Sequence, residues 1–142
     1  RIETELVRNQ QIAASAGAGY SGFALGDTLF YISAIPSNGH SMDALEAALQ
    51  EQINRLQTEL PTADELQRVR AQILSAEVYQ QDSISSQANQ IGKMESIGGS
   101  WQEADQLADK LAQVTPEQIQ AVARKYLVPA RKTVTILKPL PL

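Results

Sequence analysis

Across its 142 residues the chain has no cysteine and one histidine. The missing cysteine excludes disulfides and thiolate-bound metal, and leaves the redox compartment undetermined. The missing second histidine means that His40 cannot complete a zinc helix of the H-E-x-x-H or H-x-x-E-H type. The usual nucleophile and base pairings are lacking for the same reason. A basic surplus is lacking too: 12 Lys and Arg stand against 16 Asp and Glu, a formal net charge of -4. No field attracts phosphate backbones, so nucleic acid is not an expected partner. No apolar run approaches the roughly 20 residues that span a bilayer, and the chain reads as soluble with no membrane span.

What is present is a composition that is 43% hydrophobic, enough for one core of ordinary size. A single domain over 1-142 is expected. Arg1, Ile2, Leu6 and Asn9 look like the end of a helix with no cap before it, which points to a piece of a longer protein. A leader sequence lost with the missing part would leave no trace, so its absence says nothing about destination.

GAGYSG, Gly17 to Gly22, has the G-x-G-x-x-G spacing of a dinucleotide-binding turn. Its surroundings oppose that reading. Ser15 to Ala24 alternates with period two, as a strand does, and runs through a Gly26-Asp27 turn into a second strand, Thr28 to Ile35. A hairpin offers no helix N-terminus to a phosphate. The glycines fit close approach by another backbone or a packed helix. A small-molecule enzyme using GAGYSG is the outlying alternative, and it requires nucleotide to protect against thermal unfolding.

PSNGH is a turn-rich connection, after which Ser41 caps a helix with Met42, Leu45, Leu49, Ile53 and Leu56 on one stripe. Pro61 ends it. Thr62 and Glu65 form a capping box for a second helix with Leu66, Val69, Ile73 and Ala76 inward, and the two helices are expected to form a hairpin. A third spans Ile84 to Ile97 with Ile84, Ala88 and Ile91 inward, stopped by Gly98-Gly99. Ser100 and Glu103 box a fourth, carrying Trp101, Ala104, Leu107 and Leu111. Thr115, Pro116 and Gln118 start a fifth with Ile119, Val122 and Tyr126 inward. KTVTILK, Lys132 to Lys138, is a further strand closed off by Pro139 and Pro141. The pattern predicts an α+β fold, a mainly antiparallel sheet with helices packed on one face.

Most polar residues have bland assignments. His40 is a solvated turn residue. Asp64 and Glu65 complement a helix N-terminus, and Lys125, Arg131 and Lys132 a helix C-terminus. Glu77 could face either way, its bland reading being a solvated face beside Gln80 and Gln81, and Trp101 is an apolar anchor. Arg8 is the open case, placed just before the glycine-rich strand.

Several phrases occur in an order that adds to this reading. LVRNQQIAASAGAGYSG, LFYISAIPSNGHSMDALEAALQEQINRL, TADELQRVRAQIL, SSQANQIGKME and VTPEQIQAVARKYLVPARKTVTILKP together cover nearly the whole chain. The ordered set resembles the C-terminal, inactive type of domain of the pitrilysin or insulinase-like (M16) zinc metallopeptidases. The resemblance implies a domain of the LuxS/MPP-like metallohydrolase type lacking its N-terminal elements. It also implies paired α+β halves closing around an unfolded peptide.

In that family the zinc helix lies in an N-terminal domain, outside this sequence. Zinc is therefore implied for the parent protein only if H-x-x-E-H stands upstream, and 1-142 is expected to hold no cofactor and no metal. The family's C-terminal half often supplies an Arg and a Tyr at the helix-to-strand junction, which hold substrate and the developing oxyanion. By phrase, these positions fall on Val7 and Ala14, whose side chains donate no hydrogen bond. No catalytic residue is therefore expected. Arg8, rotated about 100° round a helix from its neighbour, and Tyr20, further along the strand, are the candidate substrate contacts.

The implied role is a non-catalytic domain of a zinc peptidase that forms chamber wall and closure or dimer surface. The implied partners are N-terminal domains of the family or a second chain of it. The alternative is an inactive partner or scaffold subunit with no peptidase role. Export to the periplasm is implied by bacterial two-chain relatives, and a cytoplasmic place stays open.

Overall fold

A computed structural model describes residues 1-138, apart from the side chains of 104 and 105. A wide helical turn, Glu3–Asn9, opens the chain, and the Gln10 N–H reaches back five residues to the Glu5 carbonyl at 2.8 Å. It seats Leu6 with no exposed surface and packs Ile2 and Val7 beside it. Gln11 follows with φ 54°, left-handed and uncommon for a residue with a Cβ. Ser37 holds this junction from the neighbouring strand: its N–H donates to the Ile12 carbonyl at 3.0 Å and its hydroxyl to the Gln11 carbonyl.

Strands β1 (Ala13–Gly19) and β2 (Tyr31–Pro36) pair antiparallel, from Ala13 opposite Pro36 to Gly19 opposite Tyr31. The register slips between Ala13 and Ser15, so Ala14 faces no single partner. On β2, Ile32, Ala34 and Pro36 are half-buried while Tyr31, Ser33 and Ile35 face outward. Both strands are shorter than their alternation predicts. Residues 20-30 form a connection in which the Thr28 hydroxyl donates to the Ser21 carbonyl at 2.9 Å, a side-chain bond where a ladder would continue. The glycine expectation also changes: a methyl at Gly19 would overlap the Tyr31 ring, so there a side chain makes the close approach, not a backbone or helix.

Helix α1 (Met42–Thr58) starts where the Ser41 hydroxyl accepts the Ala44 N–H at 3.1 Å. Its predicted stripe is inward along its length. Leu45 is 2% exposed and joins Leu6 and Ala13 in the core, with Ala16, Ala34, Ala48 and Leu49 against them. Thr62 caps α2 (Ala63–Gln81), Ser83 caps α3 (Ile84–Ser96), and Thr115 with Gln118 makes a complete capping box on α5 (Pro116–Tyr126). Between these lie a 3₁₀ turn, Trp101–Gln106, and α4 (Leu107–Gln113). Gly98, at φ 78°, ends α3 as expected, with the Gly99 N–H reaching the Met94 carbonyl at 3.1 Å.

Which faces pack is where pattern and structure part. Helix α1 lies against α5 and β2, whereas α2 lies against α3 and α4, so the expected α1-α2 hairpin is not the packing unit. On α2 the half-buried residues are Glu65, Leu66, Arg70, Leu74 and Glu77; after Leu66 they run one position round from the apolar stripe, and Val69 and Ile73 stay exposed. Polar contacts account for the rotation: the Arg70 guanidinium donates to the Ala112 and Val114 carbonyls at the end of α4, and the Gln90 amide of α3 donates to Glu77 at 2.7 Å. On α3, Met94 is buried while Ile84 and Ile91 face out. On α5, Ala123 is buried and Val122 and Tyr126 are exposed; Trp101 is 45% exposed.

Where α1 and α5 meet, each supplies donors to the other's C-terminal carbonyls. Gln57 Nε2 donates to the Leu127 carbonyl at 2.8 Å, and Arg124 Nε donates to the Gln57 carbonyl at 2.6 Å. Beyond a short 3₁₀ turn, Pro129–Arg131, residues 132-138 form no strand, although KTVTILK alternates. Lys132 instead binds Glu46 of α1 at 2.9 Å. Alternation makes a segment able to join a sheet, but a ladder needs a neighbour, and the described sheet has two strands. The expected closing residues Pro139 and Pro141 lie outside the described residues. The fold is α+β, as the order of elements predicts.

Replacing Leu45 with Ala is expected to remove about 2 to 5 kcal/mol of stability. Urea unfolding followed by far-UV circular dichroism measures it, and Leu49→Ala, at the edge of the cluster, should cost less.

Candidate functional site

The helix-to-strand junction is the part of the fold to which the sequence assigns substrate contact. Val7 is half-buried against the Leu6, Ala13 and Leu45 cluster, and Ala14 is exposed at the register slip. Neither offers a side-chain donor. Arg8, at the end of the opening turn, is exposed and binds Glu3 of the same turn at 3.0 Å. Tyr20 lies just past the far end of β1 and is 64% exposed. Between the two runs strand β1, seven residues long and on the order of 20 Å at the usual rise. The structure therefore does not bring Arg8 and Tyr20 to one point.

Beside this junction is a contact that sequence reasoning missed. Arg1 donates from Nε to Glu65 Oε1 at 2.8 Å and from Nη2 to Oε2 at 2.6 Å, a two-pronged pair with 17% and 24% of the side chains exposed. It ties the start of the chain to the first turn of α2. Thr62 caps that turn as predicted, but the Glu65 carboxylate serves Arg1. Sixty-four positions separate the pair, so no local spacing announces it. The two hydrogen bonds from the guanidinium hold the Glu65 carboxyl below its ordinary value, against the opposing effect of burial.

A cleft of about 380 Å³ lies between α2, α3 and the 3₁₀ turn, lined by Phe23, Glu77, Gln90, Lys93, Met94 and Glu103 among others. Glu77 is thus part of an interhelical contact, not a solvated face. Its two acids are engaged, Glu77 with Gln90 and Glu103 with Lys110 at 3.3 Å, an arrangement suited to a polar wall. The basic cluster splits: Lys125 and Arg131 flank the Tyr126 ring at 4.9 and 5.5 Å, while Lys132 turns to α1.

Zinc can be tested against these donors. His40 is exposed in the turn before α1, and among the described residues no three His, Cys, Asp or Glu side chains converge. The donor set does not fit a zinc site. No helix among the described residues is long and apolar enough to cross a membrane.

The family model described as the peptidase M16 inactive domain matches residues 1–73. Among solved structures, the chain is similar to a protease from Helicobacter pylori, with a TM-score of 0.80 and 15% identity over 92% of its length. At that identity the likeness is one of fold. The chain spans 31% of the length of that protease. No curated protein sequence matches.

The Arg1-Glu65 pair generates a pH dependence. A carboxylate whose pKa is lowered by folding adds stability that is fully present above its unfolded value, near 4.5, and is lost as pH falls through the lower folded value. Glu65→Gln is expected to cost about 1 kcal/mol at neutral pH and to flatten the loss of stability below pH 4.5. Urea midpoints measured across acid pH for both chains check this.

Proposed function

Because this chain belongs to the family of the M16 peptidase inactive domain, we propose that it is a non-catalytic C-terminal domain of a zinc-peptidase assembly. In this reading it is one domain of a longer protein and forms part of the wall and closure surface of a chamber around an unfolded peptide. Its partners are N-terminal domains of the same family, in the same or a second chain, and they carry the zinc.

The observation that carries the reading is the imbalance between a small core and a large uncovered apolar surface. Leu6, Ala13, Leu45, Met94 and Ala123 are the buried hydrophobic residues among those described. Meanwhile Tyr20, Phe23, Leu25, Leu29, Phe30 and Tyr31 are all exposed around one end of the hairpin. Large apolar side chains exposed together in one connecting segment favour a surface that meets other protein. Tyr20 is exposed, and Arg8, exposed but paired with Glu3, would have to exchange that partner to meet substrate, from a separate place on the wall. Export to the periplasm goes with this reading through the family resemblance.

The donor-poor junction at Val7 and Ala14 also favours a second reading, an inactive partner or scaffold subunit. The residues that precede Arg1 in the whole protein separate the two: an H-x-x-E-H followed by a downstream Glu marks the zinc-bearing chain.

The purified chain is expected to retain no stoichiometric zinc and to leave unfolded peptides intact. Metal analysis and a quenched-fluorescence peptide assay read both. Stoichiometric zinc together with turnover that a chelator abolishes would overturn the non-catalytic assignment.

A further inference from the structure

Asn38 is followed by Gly39 in the turn that leads β2 into α1. The turn is closed by the His40 N–H, which donates to the Ser37 carbonyl at 3.1 Å. Gly39 has φ 85°, and a Cβ built on it meets no atom within 4 Å, so the space beside its Cα is open. Asn38 is exposed. Among the described residues, neither the Asn38 side-chain amide nor the Gly39 N–H is engaged in a hydrogen bond. The electrophile and the nucleophile of one reaction thus stand side by side, both unengaged.

We propose that Asn38 is a covalent modification site, losing its side-chain amide through a cyclic imide formed with the Gly39 nitrogen in the folded chain. Hydroxide removes the Gly39 amide proton, and the nitrogen attacks Asn38 Cγ. A Cγ–N bond forms to Gly39, the Cγ–Nδ2 bond breaks, and ammonia leaves. Water then opens the five-membered ring. Addition at Cγ yields aspartate, and addition at the backbone carbonyl yields isoaspartate, in which the chain continues through the former side chain. The balance is one water consumed and one ammonia released, with no oxidation. A side chain at position 39 would obstruct the attack, and glycine has none. The sequence has asparagine at 9, 38, 54 and 89, and only Asn38 precedes glycine.

The products differ in consequence. Aspartate adds one negative charge to a chain of net -4, three residues before the Ser41 cap of α1, where a helix N-terminus tolerates it. Isoaspartate adds a methylene to the backbone next to Ser37, whose two bonds hold the Gln11-Ile12 junction. The site therefore gives the junction a slow chemical route to loosening.

The 142-residue chain is incubated at neutral and mildly alkaline pH, folded and in urea, then digested and mapped by mass spectrometry with an isoaspartate methyltransferase assay. The expected result is aspartate and isoaspartate at Asn38 in the folded chain, faster at the higher pH, with Asn9, Asn54 and Asn89 intact. Asn38→Ser, shown to be folded by circular dichroism, should lose the acidic species on anion exchange. Modification at Asn38 in urea but not in the folded chain would overturn the proposal, because the folded turn would then exclude the attack. Equal modification at the other asparagines would overturn it as well.

Discussion

Leu6, Ala13 and Leu45 meet at one point, and the rest of the molecule is arranged by that contact. Leu6 comes from the opening turn, Ala13 from the start of β1 and Leu45 from the first turns of α1. For all three to touch, the chain must turn sharply between residues 9 and 13, and Gln11 takes the left-handed conformation that allows this. That conformation is disfavoured for a residue with a Cβ, by an amount of order 1 to 3 kcal/mol. The Ser37 bonds to the Gln11 and Ile12 carbonyls oppose its relaxation. Core, junction and hairpin are thus one unit.

Away from that unit, polar side chains carry the joints between helices. Arg70 reaches the last carbonyls of α4, Gln57 and Arg124 exchange donors between α1 and α5, Gln90 meets Glu77, and Arg1 grips Glu65. A carbonyl at a helix end is an obligatory acceptor, and a long side chain that satisfies it also fixes the angle between two helices. These contacts turn α2 and α3 so that Val69, Ile73, Ile84 and Ile91 face outward. An isolated domain gains little from exposed isoleucines.

Positions 7 and 14 of the junction offer no side-chain donor: Ala14 has only its methyl, and Val7 packs against the core. The acids of the interhelical cleft are satisfied by neighbours and the lone histidine stands in a turn. The aromatic and aliphatic residues of 20-31 are all exposed.

The sequence alone determined the elements whose cause is local. Ser41, Thr62 and Thr115 each offer an oxygen to an N–H three residues ahead, and helices begin there; Gly98 adopts a conformation open to few other residues, and α3 ends there. The α1 stripe was legible because its partners are apolar, and burial then follows period 3.6. The ordered family phrases, and with them the donor-poor positions 7 and 14, were legible for the same local reason. Tertiary structure decided the rest. The faces of α2 and α3 follow Arg70 and Glu77, whose partners lie on other helices, and the hairpin ends at Gly19 and Tyr31, where cross-strand pairing stops. Residues 132-138 alternate like a strand, yet alternation states only what a segment can do beside a neighbour. Contacts such as Arg1 with Glu65 join positions far apart in the chain, and only the folded geometry brings their atoms within hydrogen-bonding distance.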